Sequence, residues 1–290
     1  MPELPEVQTT ATGLDGVIRG LTIDKVWTDY NSSFFKGSET IKDPRYFSKF
    51  KKSVEGKKIK NVTRRAKNVL INLSGNITII IHMRMTGHLL YADYRRSDPF
   101  NRFIHLIFYL SNGKNIELSD MRKFAQVTMS PTDTLHLSSH FRDTGPEPLE
   151  KTFTFDKFIE RIMQKKTGKI KPVLMDQTVI AGIGNIYADE SLWRAGIHPE
   201  SRIVHIPKKL LRKLYGTIRE TLAKGIDFGG DSMSDYRNIH GERGKFQEQH
   251  RAYQKTGKKC SKPKCRGYIT RIVVAGRSTH YCPVHQKLLK

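Results

Sequence analysis

Proline at position 2 is the residue with the most distinctive chemical potential in this chain of 290 residues. Removal of Met1 by an aminopeptidase, which a small second residue permits, leaves Pro2 with a free secondary amine. An α-amino group titrates near pH ~8, against ~10.4 for a lysine, so a useful fraction is uncharged and nucleophilic at neutral pH without deep burial. Glu3 and Glu6 flank it. The chemistry implied is attack on a sugar carbon with an adjacent acid to move protons, because an amine alone cannot make a poor leaving group depart. By spacing alone the simpler reading is a capped helix start, since proline suits the first turn and acids there are favoured by the helix dipole.

A second set of residues points to a metal. Cys260-Ser-Lys-Pro-Lys-Cys265, then sixteen residues, then Cys282-Pro-Val-His285 gives two ligand pairs at the separation of a zinc ribbon. Three thiolates and an imidazole can complete a tetrahedron around one structural Zn2+. The three cysteines are an odd number, which cannot form a complete set of internal disulfides. The alternative is three buried thiols and a surface histidine, but a segment this small lacks a core and needs a staple. Lys258, Lys259, Lys262, Lys264, Arg266, Arg271 and Arg277 surround the site, and a metal would fix their geometry against phosphates.

The elements that must position these groups can be read from periodicity. Leu4, Val7, Ala11, Leu14 and Ile18 recur at intervals of three and four with Gly20 as a stop, which predicts a helix whose apolar stripe anchors the chain start. From Leu21 to about Ser130 the pattern is mostly strands: 59–63, 69–73, 77–81, 103–110, 115–118 and 125–129, separated by turn signals, as in an antiparallel sandwich or barrel. After Thr144-Gly145-Pro146-Glu147-Pro148 the pattern turns helical, with Phe155, Phe158, Ile159 and Ile162 on one face, then 186–195 and 208–224. Residues 225–257 predict a long loop with a short helix near 246–253. Two strands joined at Ala275-Gly276 form the hairpin of the cysteine module. The implied division is a β domain at 2–130, a helical domain at 131–250 and the finger at 251–290.

Charge narrows the partners. Lys and Arg number 51 against 28 Asp and Glu, a formal charge of +23 that is self-repelling unless the partner is a polyanion. Nucleic acid fits this excess. A membrane does not, because no apolar run approaches the roughly 20 residues of a spanning helix, and the start resembles neither a signal peptide nor a basic presequence. A soluble intracellular protein is expected.

Several motifs in order resemble one family. They are Pro2-Glu3-Leu4-Pro5-Glu6-Val7, Arg64-Arg65-Ala66-Lys67, the run from Ile79 through His82-Met83-Arg84-Met85-Thr86-Gly87, Asp120-Met121-Arg122-Lys123-Phe124, Gly145-Pro146-Glu147-Pro148-Leu149 and Gly182-Ile183-Gly184-Asn185 through Glu190. Together they look like the formamidopyrimidine-DNA glycosylases, bacterial repair enzymes related to endonuclease VIII. The resemblance implies an α+β multidomain fold: an N-terminal β-sandwich with a terminal helix, a helix-two-turns-helix domain and a zinc-finger β-hairpin, with DNA held between domains. It implies that Pro2 attacks C1′ of a damaged nucleotide, that Glu3 donates a proton to the sugar, that Glu6 supports the site, and that Lys67 donates a proton in the first elimination. Met85, Arg122 and Phe124 match the residues that fill the void left by a flipped base. Asn185, Lys166 and His82 match phosphate or DNA contacts, and Arg277 matches the finger arginine credited with phosphate binding and the second elimination.

The resemblance further implies a monomer in the bacterial cytoplasm, associated with the nucleoid, that acts on damaged double-stranded DNA. Leu4, where endonuclease VIII relatives carry glycine, and the segment 229–246, matching a loop over a flipped purine, favour oxidised purines as substrates. Removal of oxidised pyrimidines, or silent DNA binding through the same surfaces, are the alternatives. Two departures from the family pattern concern the metal: four residues separate Cys260 from Cys265 where two are usual, and His285 stands in place of cysteine.

Overall fold

The computed structural model describes residues 1–30, 32–91 and 97–289. It divides into two compact units, Met1–Arg142 with Phe228–Lys245, and Asp143–Asp227 with Phe246–Lys290.

The first unit is a sandwich of two four-stranded antiparallel sheets. One contains β2 (Ile59–Arg65), β3 (Asn68–Leu73), β4 (Ile77–His82) and β8 (Gln126–Pro131) in that order. The other runs β1 (Ile23–Thr28), β6 (Ile104–Leu110), β7 (Asn115–Ser119), β5 (His88–Tyr91). Leu106, Phe108 and Leu110 alternate inward from β6, and Ile79 and Ile81 meet them from β4. Ile80 and Leu70 point to the opposite face, where Phe141 covers them, so β3 and β4 read as nearly continuous apolar runs. The helix α1 (Leu4–Ile18) buries all five residues of its stripe and packs along β2 and β3, as the spacing predicts. A helix among the strands, α2 (Pro44–Val54), was not expected. Its signal is local: Asp43 caps it by accepting from the amides of Arg45 at 2.6 Å and Tyr46 at 3.2 Å, Pro44 opens it, and Phe50 and Val54 face the core.

Residues 228–245, grouped with the helical segment in the sequence reading, pack with the sandwich. Ile239 joins its core, and its carbonyl accepts from the amide of Tyr91 at 2.7 Å. Beside that contact His88 is buried with Nε2 at 2.9 Å from Asn101 Oδ1, and Asn101 donates to the carbonyl of Gly241 at 3.2 Å. Burial holds His88 down to about 4, against the opposing pull of the Asn101 hydrogen bond. A neutral histidine of this kind leaves stability intact above the unfolded value of ~6.5. Stability is lost as pH falls from there toward 4, because only the unfolded chain takes up the proton. Denaturant titrations at pH 7 and pH 5 should differ by about 2 kcal/mol more in the wild type than in His88→Gln. An equal pH dependence in the two proteins would contradict this.

In the second unit α3 (Phe155–Met163) and α6 (Lys208–Asp227) are joined by the rings of Phe153, Phe155, Phe158 and Tyr215. Between them in sequence lie the short α4 (Ile170–Met175), also not expected, and α5 (Asn185–Ala195). The hairpin β9 (Thr270–Val274) and β10 (Arg277–Tyr281) turns at Ala275 and Gly276, both at positive φ, as the turn residues predict. The expected short helix is a single tight turn, Phe246–Gln249. Among the described residues no helix is long and apolar enough to cross a membrane.

Candidate active site and nucleic-acid interface

Pro2 precedes α1 and is buried, and it is Pro5 that occupies the first turn. Glu3 is the N-cap, and its amide donates to Glu6 Oε2 at 2.7 Å. Both carboxylates are 2% exposed. Glu6 is held from a second direction by residues 228–245. The amide of Asp231 donates to its Oε1 at 2.7 Å, and the hydroxyl of the buried Tyr236 donates to its carbonyl at 3.1 Å. Gly230 makes this approach possible, because it sits at φ +85° and a Cβ there would lie 2.9 Å from Glu6 Cγ. The head of α1 is thus a buried acidic pair that begins one residue after Pro2.

Lys67 lies in the tight β2–β3 turn, with Ala66 at positive φ, and is buried. Arg64 ties that turn to α1: its Nε donates to Gln8 Oε1 at 2.9 Å and its Nη1 to the carbonyl of Ala66 at 2.9 Å. His82 ends β4, paired with Asn68 on one side and Gln126 on the other. Burial, with Arg84 and Lys67 adding positive charge, holds it down to about 3. Its Nδ1 accepts from the amide of Arg84 at 3.0 Å, so Nε2 carries the hydrogen and is the atom able to donate to a phosphate.

Met85, Arg122 and Phe124 come together. They sit on two neighbouring exposed turns, with Arg122 Nη1 3.5 Å from Met85 Sδ and the guanidinium 4.5 Å from the centroid of the Phe124 ring. Met85 and Phe124 are 43% and 46% exposed, which separates them from core residues of the same type. A flexible wedge, a fork of donors and a flat ring side by side form a surface able to replace a base and read its partner.

In the second unit, Asn185 opens α5 and its Nδ2 donates to the carbonyl of Ser278 at 3.0 Å, which joins the helix start to the hairpin beside the exposed Arg277. Lys166 is exposed in the turn after α3. The ligand atoms of Cys260, Cys265, Cys282 and His285 all lie within 4.8 Å of one another. Cys265 Sγ is 3.6 Å from Cys282 Sγ and 3.8 Å from His285 Nδ1, and Cys260 Sγ is 3.4 Å from that nitrogen. A tetrahedron with Zn–S near 2.3 Å and Zn–N near 2.0 Å requires separations of about 3.5–3.8 Å, so the donor set fits zinc. His285 Nε2 sits 3.1 Å from the carbonyl of Trp193, which fixes the tautomer and leaves Nδ1 for the metal. The longer first spacing is absorbed by a turn in which Lys264 adopts φ 63° and the amide of Cys265 donates to the carbonyl of Lys262 at 3.0 Å.

Three family models match in this order: the formamidopyrimidine-DNA glycosylase N-terminal domain over residues 1–127, the H2TH domain of the same enzymes over 144–237, and a zinc finger found in FPG and IleRS over 257–284. The chain is 40% identical to a formamidopyrimidine-DNA glycosylase of Pelotomaculum thermopropionicum across 99% of its own length and 100% of the relative's. The chain belongs to the formamidopyrimidine-DNA glycosylase family. A second relative of that name, from Heliobacterium modesticaldum, is 38% identical over the same share of each chain. The Lactococcus lactis family member solved with abasic-site DNA is 34% identical, with a TM-score of 0.84 over 98% of this chain and 99% of that one. A variant of the same glycosylase solved with Fapy-dG DNA gives 0.84 at 35% identity over 99% and 100%.

Family membership accounts for the sandwich, the H2TH helices and the zinc-finger hairpin. It does not draw attention to the buried groups that hold the candidate residues in place. Asp189 accepts from the amide of His280 at 2.8 Å and pairs with the buried Lys171 at 2.6 Å, while Lys171 also donates to Thr279 Oγ1 at 2.8 Å. Glu190 accepts from the amides of Arg251, Ala252 and Tyr253 at 2.9–3.0 Å. In the sequence Asp189 and Glu190 stand out only as members of a motif. Two adjacent acids flanked by Tyr187, Ala188, Leu192 and Trp193 are the signal, since full burial of a carboxylate requires donors to meet it.

Proposed function

We propose that this protein is a DNA glycosylase with apurinic/apyrimidinic lyase activity that removes oxidised purines, 8-oxoguanine and formamidopyrimidines, from duplex DNA as a monomer. The observation that carries the reading is the buried Glu3–Glu6 pair locked behind Pro2. With Met1 removed, the amine of Pro2 attacks C1′ as the glycosidic bond breaks and the base departs. Proton delivery by Glu3 opens the sugar, and the product is an iminium that cannot lose its charge because proline is a secondary amine. That cation acidifies C2′, so loss of its proton expels the 3′ phosphate, and a further elimination expels the 5′ phosphate. Lys67 serves as proton donor in the first elimination and Arg277 supports the second.

The relatives solved with Fapy-dG and abasic-site DNA supply the substrate class carried over here. Met85, Arg122 and Phe124 fill the void left by the extruded nucleotide, and His82, Lys166, Asn185 and Arg277 contact the strand. Zinc organises the finger without taking part in the chemistry. Leu4 and the packing of residues 228–245 against Glu6 support a purine-directed site.

Single-turnover excision from a panel of duplexes tests the reading. Release of 8-oxoguanine and formamidopyrimidine should exceed release of thymine glycol by at least tenfold. Faster release of thymine glycol would assign the chain to oxidised pyrimidines instead.

A further inference from the structure

The two turns that carry Met85, Arg122 and Phe124 share one buried carboxylate that the mechanism above does not use. Asp120, directly after β7, is 0% exposed. The hydroxyl of Thr86 and the amide of Arg122, at 3.3 Å, donate to its Oδ1. The amide of Ala125, at 2.8 Å, and the hydroxyl of Tyr30, at 2.9 Å, donate to its Oδ2. The amide of Arg122 also reaches Thr86 Oγ1 at 3.2 Å, so one N–H is divided between the two side chains. Thr86 belongs to the Met85 turn, while Arg122 and Ala125 bracket the other. Only an acceptor with lone pairs on both oxygens can hold all four donors at once.

The two turns need such a tie. Arg84 and Lys123 adopt φ 54° and 52°, a conformation that L residues rarely hold without support from their surroundings. Gly87 closes its turn with its amide on the carbonyl of Met83 at 3.1 Å, where a Cβ would lie 2.5 Å from that oxygen. Side chains on two independent turns would have to be ordered separately on entering the duplex. On a single braced platform that ordering precedes binding.

We propose that Asp120, through Thr86 and the amides of Arg122 and Ala125, is a positioning residue that makes Met85, Arg122 and Phe124 enter the duplex as one wedge. Tyr30 completes the platform from beneath. Asp120 itself meets no substrate, because it is buried and its oxygens are engaged. The inference rests on the reading that these three side chains fill the void in duplex DNA, and it assigns Asp120 no part in the amine chemistry.

The experiment compares one abasic site presented in a duplex and in a single strand, where there is no void to fill. Borohydride trapping rates are measured together with the fluorescence of a 2-aminopurine placed beside the orphaned base. Thr86→Val keeps the side-chain shape and removes the hydroxyl. It should lower the duplex trapping rate tenfold or more and suppress the fluorescence change, with the single-strand rate within twofold of wild type. Thr86→Ser should restore both readouts. Tyr30→Phe, which removes a donor from the other oxygen, should cause a loss of about threefold confined to the duplex, and it carries the test if Thr86→Val does not fold. Equal losses on both DNA forms, or an undiminished duplex rate with a normal fluorescence change, would overturn the role. A wild-type protein that traps neither form would instead overturn the amine mechanism, and with it the reading on which this role depends.

Discussion

Pro2→Gly should lower the yield of borohydride-trapped adduct on an abasic duplex by about a hundredfold or more, and a protein with a blocked amino terminus should trap none. Glycine also has an α-amino group of suitable basicity, so a loss of this size would not come from removing an amine. It would come from two properties of proline. A primary amine forms an imine that can shed its proton and its charge, whereas the pyrrolidine iminium remains an electron sink through both eliminations. The ring also locks rotation about the N–Cα bond, which keeps the lone pair of the terminal nitrogen in one direction. The acids that follow are already constrained, with Glu6 bonded to the amides of Glu3 and Asp231, so the geometry of attack depends on the first residue holding its own place. Intact-mass measurement should find Met1 removed from the active preparation. Undiminished strand scission by protein that retains Met1, or by Pro2→Gly, would defeat the mechanism.

Much of this candidate site is legible in the sequence for a physical reason: groups with chemical potential at a fixed spacing on one element need no tertiary knowledge to be associated. Glu3 and Glu6 lie one helical turn apart, and a stripe of Leu4, Val7, Ala11, Leu14 and Ile18 can only be a buried helix face. Cys282 and His285 likewise announce a knuckle by spacing alone. What was not legible depends on residues far apart in sequence. Asp231 and Tyr236 reach Glu6 across more than two hundred residues, and nothing local in Gly229-Gly230-Asp231 states which carboxylate they will hold. The packing of 228–245 onto the sandwich is illegible for the same reason, since the buried Tyr236 and Ile239 in a charged, glycine-rich stretch give no periodicity. Asp120 lies within a legible motif, but an acid beside Arg122 and Lys123 reads as a solvated charge until four donors are seen around it. The α2 helix was also visible in principle, through Asp43-Pro44 and the spacing of Phe50 and Val54, and was hidden only by the strand-rich segment around it.

Cys282→Ser should abolish zinc binding, from one ion per chain to none, and weaken binding to abasic duplex by at least tenfold while leaving the melting of the first unit near its wild-type midpoint. The buried cluster under the finger consists of Trp193, Ala252, Cys260, Ile269 and Cys282, with Cys265 packed at its edge, so half of the residues that would form its core are metal ligands. Such a cluster cannot order the hairpin by apolar burial, whereas structural zinc contributes roughly 10–16 kcal/mol to small domains of this type. Serine is nearly isosteric with cysteine but a poor zinc ligand, and the space is tight: a Cβ on Gly267 would lie 2.6 Å from Cys282 Sγ. Loss of the ion would release β10, and with it the carbonyl of Ser278 that receives Asn185 and the amide of His280 that meets Asp189. The start of α5 and Arg277 would then lose their common register, and the two phosphate contacts proposed for Asn185 and Arg277 would fail together. Metal analysis and fluorescence anisotropy on one preparation decide the matter. Unchanged affinity in a protein shown to be free of zinc would remove the finger from DNA binding, and loss of the first unit's melting transition would show that the metal stabilises more than its own module.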